Sequence, residues 1–161
     1  MPPKGRDKIA RELYADEYKF LDDIMQANNV IWQPFVDMQD YYVTLNELRL
    51  DVMLIPRADN YFNRCKSNLK FLEASMFEIP VIAQGFPDGK SPYEIDPEDA
   101  QHMIIVRDNW IEAIEKLIND KELRLQMGRK AKEYVENKYS IENNAFRWLV
   151  AYSNLFKKIY N

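Results

Sequence analysis

Between Arg57 and Glu73 the sequence reads RADNYFNRCKSNLKFLE, and within residues 57–70 four cations, Arg57, Arg64, Lys66 and Lys70, stand against one acid, Asp59. The whole chain carries a net charge of −4, so this local surplus has the opposite sign. A helix is expected to begin here. A helix N-terminus already presents partial positive charge and unpaired N–H groups, so Arg64 and Lys66 just before it are unfavourable unless an anion reverses the sign. A phosphate or pyrophosphate on the backbone N–H groups of about Ser67, Asn68 and Leu69, flanked by these cations, would do so. The same residues also fit a solvated basic turn whose Lys and Arg pair with surface acids. Glu73, one to two turns further on, could accept two hydrogen bonds from vicinal hydroxyls, as acidic residues do for a ribose in dinucleotide folds. By spacing alone a surface or capping glutamate is the favoured reading.

Other chemistries are closed by composition. Cys65 is the only cysteine and His102 the only histidine. An intramolecular disulfide framework, a Cys-rich zinc site and a multi-histidine metal site are therefore excluded, and a Ser-His-Asp triad would have to use His102, which is read as structural. The single cysteine fits a reducing cytosol. With 161 residues, 47% hydrophobic and 30% charged, one globular domain over residues 1–161 is expected. A pI near 5.2 argues against general nucleic-acid binding. No apolar run reaches the ~18 residues of a membrane span, and the first residues, MPPKGRD, lack the apolar stretch of a signal peptide.

Apolar periodicity alternates between two kinds of segment. Residues 8–27 place Ile9, Leu13, Tyr18, Leu21, Ile24 and Met25 near a 3.6-residue stripe and predict an amphipathic helix. Short apolar runs at 30–32 (VIW), 50–55 (LDVMLI), 79–83 (IPVIA) and 103–106 (MIIV) predict strands. Helices are predicted at about 38–48, 67–77, 108–119, 120–137 and 141–160, with Asn119 or Asp120 opening the fourth and Ser140 capping the fifth. Strand and helix in alternation predict an α/β fold with a parallel sheet of about four strands flanked by helices. The long loop 84–101 follows a strand, where open parallel sheets place their ligand crevice. In the last helix Trp148, Tyr152, Phe156 and Tyr160 fall at i, i+4 spacing. That stripe is expected to pack on the domain's own core, with a missing domain or a dimer contact as the alternatives.

The run from Leu50 to Ala83 resembles the nucleotide-sugar-binding half of retaining GT-B glycosyltransferases, the group often called family 4. It is similar to the subset whose helix reads KS-x-x-K-x-x-E before a G-x-PV-type strand, at Lys66, Ser67, Lys70, Glu73, Pro80 and Val81. The likeness continues through Gln84 to Tyr93, through MIIV and residues 108–118, and into 123–139, which resembles an R-x-x-x-G-x-x-A-x-x-x-V segment. It covers about residues 28–140. The resemblance implies a Rossmann-like fold, a nucleoside-diphosphate sugar as donor substrate, and a glycan or lipid-linked acceptor of the cell-envelope type. It implies no cofactor and no metal, with the diphosphate charge met instead by the helix terminus and by Arg57, Arg64, Lys66 and Lys70. Glu73 would bind the donor ribose, the stretch from Lys66 through Asn68 to Lys70 would face the diphosphate, and Gln33, Phe35 and Val36 would lie by the base. Cys65 stands where the family often has a first glutamate, and Glu78 where it has a glycine, which predicts a different turn. The acceptor domain and an Arg/Lys-bearing loop of the family are not found here. The expectation is a truncated donor half, completed by an N-terminal domain or a homodimer, cytoplasmic or peripheral to the membrane and inactive alone. A non-catalytic α/β module that binds a partner protein is the alternative, and a receiver-like signalling domain a weaker one, because paired acids do not follow the first strand.

Overall fold

A computed structural model of the chain describes residues 19, 22–24, 26–27, 29–94 and 101–160. These fall into two compact units, Met1–Glu47 and Leu48–Asn161.

In the first unit, residues 19, 22–24 and 26 are helical; the rest of the helix expected over 8–27 lies outside the described residues. The strand expected at 30–32 does not form. Ile31 is 91% exposed and Trp32 59%, and no described strand pairs with them. Three apolar residues alone do not make a strand without a neighbouring strand to take up their N–H and C=O groups. Helix α1 follows at Tyr41–Glu47, with Leu45 as its buried residue.

The second unit holds a parallel sheet of β1 (Met53–Ile55), β2 (Val81–Gln84) and β3 (Ile104–Val106) in the order β1-β2-β3. Met53 lies opposite Val81 and Ile82 opposite Ile104. The protein is thus α/β with three strands in place of the expected four. Val81, Ile82 and Ala83 are fully buried because helices cover both faces of the central strand. Helices α2 (Tyr61–Arg64) and α3 (Leu69–Met76) connect β1 to β2; α4 (Trp110–Asn119), α5 (Lys121–Tyr139) and α6 (Ile141–Tyr160) follow β3. One core cluster sets Ile82 and Val106 against Ala113, Leu117 and Met127.

Local chemistry marks each helix end. Asn109 accepts from Glu112 N at 3.2 Å and so caps the start of α4, while its side-chain amide donates to the Glu112 carboxylate at 3.0 Å. Asp120 accepts from Leu123 N at 2.8 Å and opens α5. Ser140 Oγ accepts from Asn143 N at 3.3 Å, as expected for α6.

The turn from α3 into β2 corrects one expectation. Glu78 takes φ +58°, the left-handed conformation that a glycine would take. Glu78 N donates to Ser75 O at 3.0 Å and Ile79 N to Ala74 O at 3.0 Å, which is a Schellman cap with glutamate at its left-handed position. The turn is therefore the usual one, held despite its Cβ. Its outer side is closed by Gly128 of α5, where an added Cβ would lie 1.9 Å from the Glu78 carbonyl oxygen. Residues 124, 128, 131 and 135, the spaced R-G-A-V positions, have structural work here. Arg124 donates to Leu117 O at 2.6 Å and Ile118 O at 2.9 Å, capping α4. Gly128, Ala131 and Val135 are buried along α5, which packs on α3.

The aromatic stripe of α6 does not pack on the core. Trp148 is 65% exposed, Tyr152 63% and Phe156 63%. Asn143 and Asn144 donate to the carbonyls of Glu136, Asn137 and Lys138, satisfying the open end of α5 and fixing where α6 departs. Beyond that first turn the described apolar residues of α6, as far as Ile159, are exposed.

Candidate functional site

The carboxyl ends of the three strands release three connections, and these are tied to one another. From β1 the chain enters Pro56 and Arg57 and folds back through α2. Asn60 Oδ1 accepts from Asn63 N at 2.9 Å and Asn63 Nδ2 donates to Ala58 O at 2.8 Å, so side-chain amides shape this turn. From β2 the chain enters Gly85 and Phe86, where a Cβ at 85 would meet Ile105 Cγ2 at 2.6 Å. Ser91 Oγ donates back to Gln84 O at 2.6 Å. Glu94 accepts from Phe86 N at 3.0 Å and Ser91 N at 2.9 Å and pairs with Arg107, which leaves β3 and donates from Nε to Phe86 O at 2.9 Å. Trp110 Nε1 reaches Gln84 Oε1 at 3.1 Å.

Two arginines join the first two connections. The Arg57 guanidinium donates to the buried Tyr93 hydroxyl at 3.2 and 3.1 Å and to Asn63 Oδ1 at 3.4 Å. Arg64 meets Asp59 at 2.5 and 2.6 Å and Asp88 at 2.6 Å, with its guanidinium carbon 5.2 Å from the centre of the Phe86 ring. The two carboxylates raise Arg64 above its ordinary pKa, Asp59 contributing most. The hydrogen bond from Arg64 in turn holds Asp88 below the usual aspartate range.

The seven residues assigned to diphosphate and ribose therefore divide. Arg64 is compensated by two acids. Lys70 Nζ lies 2.9 Å from Glu73 Oε2, and the Glu73 side chain is 9% exposed. Lys66 sits 4.0 Å above the Phe62 ring. Arg57 and Lys66 form no ion pair among the described residues. Ser67 is exposed and Asn68 buried; Asn68 occupies the N-cap of α3 but makes no side-chain cap, its amide lying 3.5 Å from the Tyr139 hydroxyl. The connection thus keeps two uncompensated cations and an α3 first turn without a side-chain cap. Of the residues assigned to the base, Gln33 and Phe35 are exposed and Val36 is half-buried, all three in the first unit.

Tyr93, Glu94 and Arg107 were not singled out by type or spacing, although the loop holding the first two was marked as following a strand. The signal that finds them is their position at the carboxyl ends of parallel strands. His102 is 6% exposed, stacks on Tyr134 at 4.2 Å and lies 5.2 Å from Phe71, the surroundings of a packing histidine. A cavity of about 540 Å³ opens beside it, lined by Lys130, Glu133 and Lys138 among others. Among the described residues no three His, Cys, Asp or Glu side chains are grouped to hold a metal ion, and no helix is long and apolar enough to cross a membrane.

What these parts define is an α/β protein with a cross-tied, basic carboxyl edge. No protein-family model, no curated protein and no solved structure matches the chain.

Proposed function

We propose that the chain binds a nucleoside-diphosphate sugar on the connection from β1 to α3. It would thereby serve as the donor half of a retaining GT-B-type glycosyltransferase whose acceptor is a glycan or a lipid-linked glycan. The observation that carries this reading is the pair of cations without a carboxylate partner among the described residues, Arg57 and Lys66, on the chain that leaves a parallel strand and opens α3. A diphosphate supplies the negative charge this connection lacks, and a bidentate guanidinium is suited to it. The Glu73 carboxylate, 2.9 Å from Lys70, is a hydrogen-bond acceptor of the kind ribose hydroxyls require. The remainder of the Rossmann-like donor domain, the acceptor domain and turnover belong to the complete enzyme, by way of an N-terminal domain or a second chain.

A second reading, a non-catalytic module that binds a protein partner, is favoured by one observation: Arg64 and Lys70 already hold carboxylates of this chain. Titration with UDP, GDP and ADP, followed on the amide NMR signals, separates the two. The donor reading expects saturable shifts in 57–73 and 84–94 for one base above the others, weakened in Arg57→Ala and Glu73→Ala. A folded, well-dispersed spectrum with no shift at millimolar nucleotide would favour the interaction module.

A further inference from the structure

Helix α6 carries a second pattern that the aromatic i, i+4 stripe conceals. Ile141, Ala145, Trp148, Tyr152, Leu155 and Ile159 recur at alternating steps of four and three, which is the seam of a helix that pairs with another helix. The seam is open: Ile141 is 80% exposed, Leu155 53% and Ile159 63%, in line with Trp148 and Tyr152. With roughly 200 Å² for an aromatic side chain and somewhat less for an aliphatic one, these fractions leave on the order of 600 Å² of apolar surface on one helix. Monomers rarely leave more than a few hundred Å² uncovered in one patch, and a standard interface takes roughly 800 Å² from each partner, so the seam alone supplies most of one.

We infer that α6 pairs antiparallel with α6 of a second copy of this chain. The seam is self-complementary about Val150. Ile141 and Ile159 are equidistant from it, as are Ala145 and Leu155, and Trp148 and Tyr152. Antiparallel pairing therefore sets aromatic against aromatic and the small Ala145 against the larger Leu155, and each layer is filled. It also brings the acidic first turn, Glu142, level with the basic last turn, Lys157 and Lys158. Parallel pairing would place Ala145 on Ala145, leaving a gap, and would set the four lysines of two copies together.

Sedimentation of the whole chain across micromolar concentrations tests this, with a dimer expected. Trp148→Glu and Tyr152→Glu should each raise the dissociation constant roughly thirtyfold or more, the scale of an interface hot spot. Both side chains are exposed in the single chain, so far-UV circular dichroism should be unchanged, while the melting temperature should fall to that of the dilute parent as the stabilisation supplied by dimerisation is lost. Register is read in a Cys65→Ser background. The double variant Ala145→Cys/Leu155→Cys should oxidise to a covalent dimer and neither single variant should. A monomer at hundreds of micromolar overturns the inference, as does a dimer indifferent to both glutamates. Cross-linking by Ala145→Cys alone overturns the antiparallel register. A monomer that binds anionic vesicles through α6 overturns it in favour of a lipid surface.

Discussion

Replacing Gly128 by alanine tests how α5 is held on the turn that precedes the central strand. At an exposed helical position this change stabilises a protein by about 1 kcal/mol, because alanine is the better helix former. At position 128 the new Cβ would lie 1.9 Å from the Glu78 carbonyl oxygen and 2.7 Å from its carbon. Ordinary van der Waals contact begins at 3.4 Å, so α5 or the turn must give by more than 1 Å. Neither is free to do so. The turn is closed by two hydrogen bonds to the end of α3 and leads through Ile79 into the buried β2. Helix α5 is held by the Arg124 bonds to α4 and by the fully buried Ala131 one turn on. Overpacking of this kind costs about 3 kcal/mol or more, at the upper end for an added methylene, since the obstacle is backbone. The net expectation for Gly128→Ala is destabilisation by about 2–3 kcal/mol after the helix-propensity gain. In urea the midpoint should fall with an unchanged slope, and the melting temperature should drop by about 5–10 °C. A variant as stable as the parent, or more so, would refute the close approach of α5 to Glu78.

Three further outcomes follow from the same geometry. Glu78→Gly should be more stable than Glu78→Ala by about 1 kcal/mol in chemical denaturation, because both lose the exposed bridge to Lys132 and only the alanine keeps the left-handed strain; equal stabilities would mean the residue is not held at positive φ. Arg124→Ala should cost about 1–3 kcal/mol, since two carbonyls at the end of α4 lose charged donors; hydrogen exchange should rise at the end of α4 before elsewhere, and uniform protection would contradict this role. Asp88, held below its ordinary pKa by Arg64, contributes stability that is complete above the ordinary aspartate range and is lost as pH falls through its lower folded value; carboxyl NMR should show it titrating low in the parent and higher in Arg64→Ala, and identical curves would remove the link.

Much of the second unit was legible in the sequence because its signals are local. The runs at 50–55, 79–83 and 103–106 are short and rich in apolar residues, and each contains a strand. Asp120 and Ser140 cap where side-chain chemistry said they would. The failures are those of context. Val30 to Trp32 has the composition of a strand, yet among the described residues no neighbouring strand completes it. Glu78 lacks the residue type of a left-handed cap, yet takes that conformation because α3 and β2 are tied on either side of it. The α6 stripe reads as core-facing, and only the fold reveals that the core ends before it.

The candidate site was legible in kind but not in charge. Four cations within residues 57–70 count alike in a sequence, yet the acid that decides whether one of them can receive an anion lies elsewhere in the chain. For Arg64 one such acid is 24 residues away, at Asp88 on the next strand's loop. Its two carboxylates leave little positive field for a ligand, and a diphosphate would have to displace them at comparable Coulomb cost. Arg57 differs although it sits on the same connection. It is held by a phenol and an amide, neutral groups that orient the guanidinium without cancelling its charge. An anion can therefore take up that charge while the Tyr93 contact still aims it. The distinction between a cation that ties two loops and a cation that those loops present is a property of the folded carboxyl edge. It places the weight of any anion binding here on Arg57 and Lys66 rather than on the cluster as a whole.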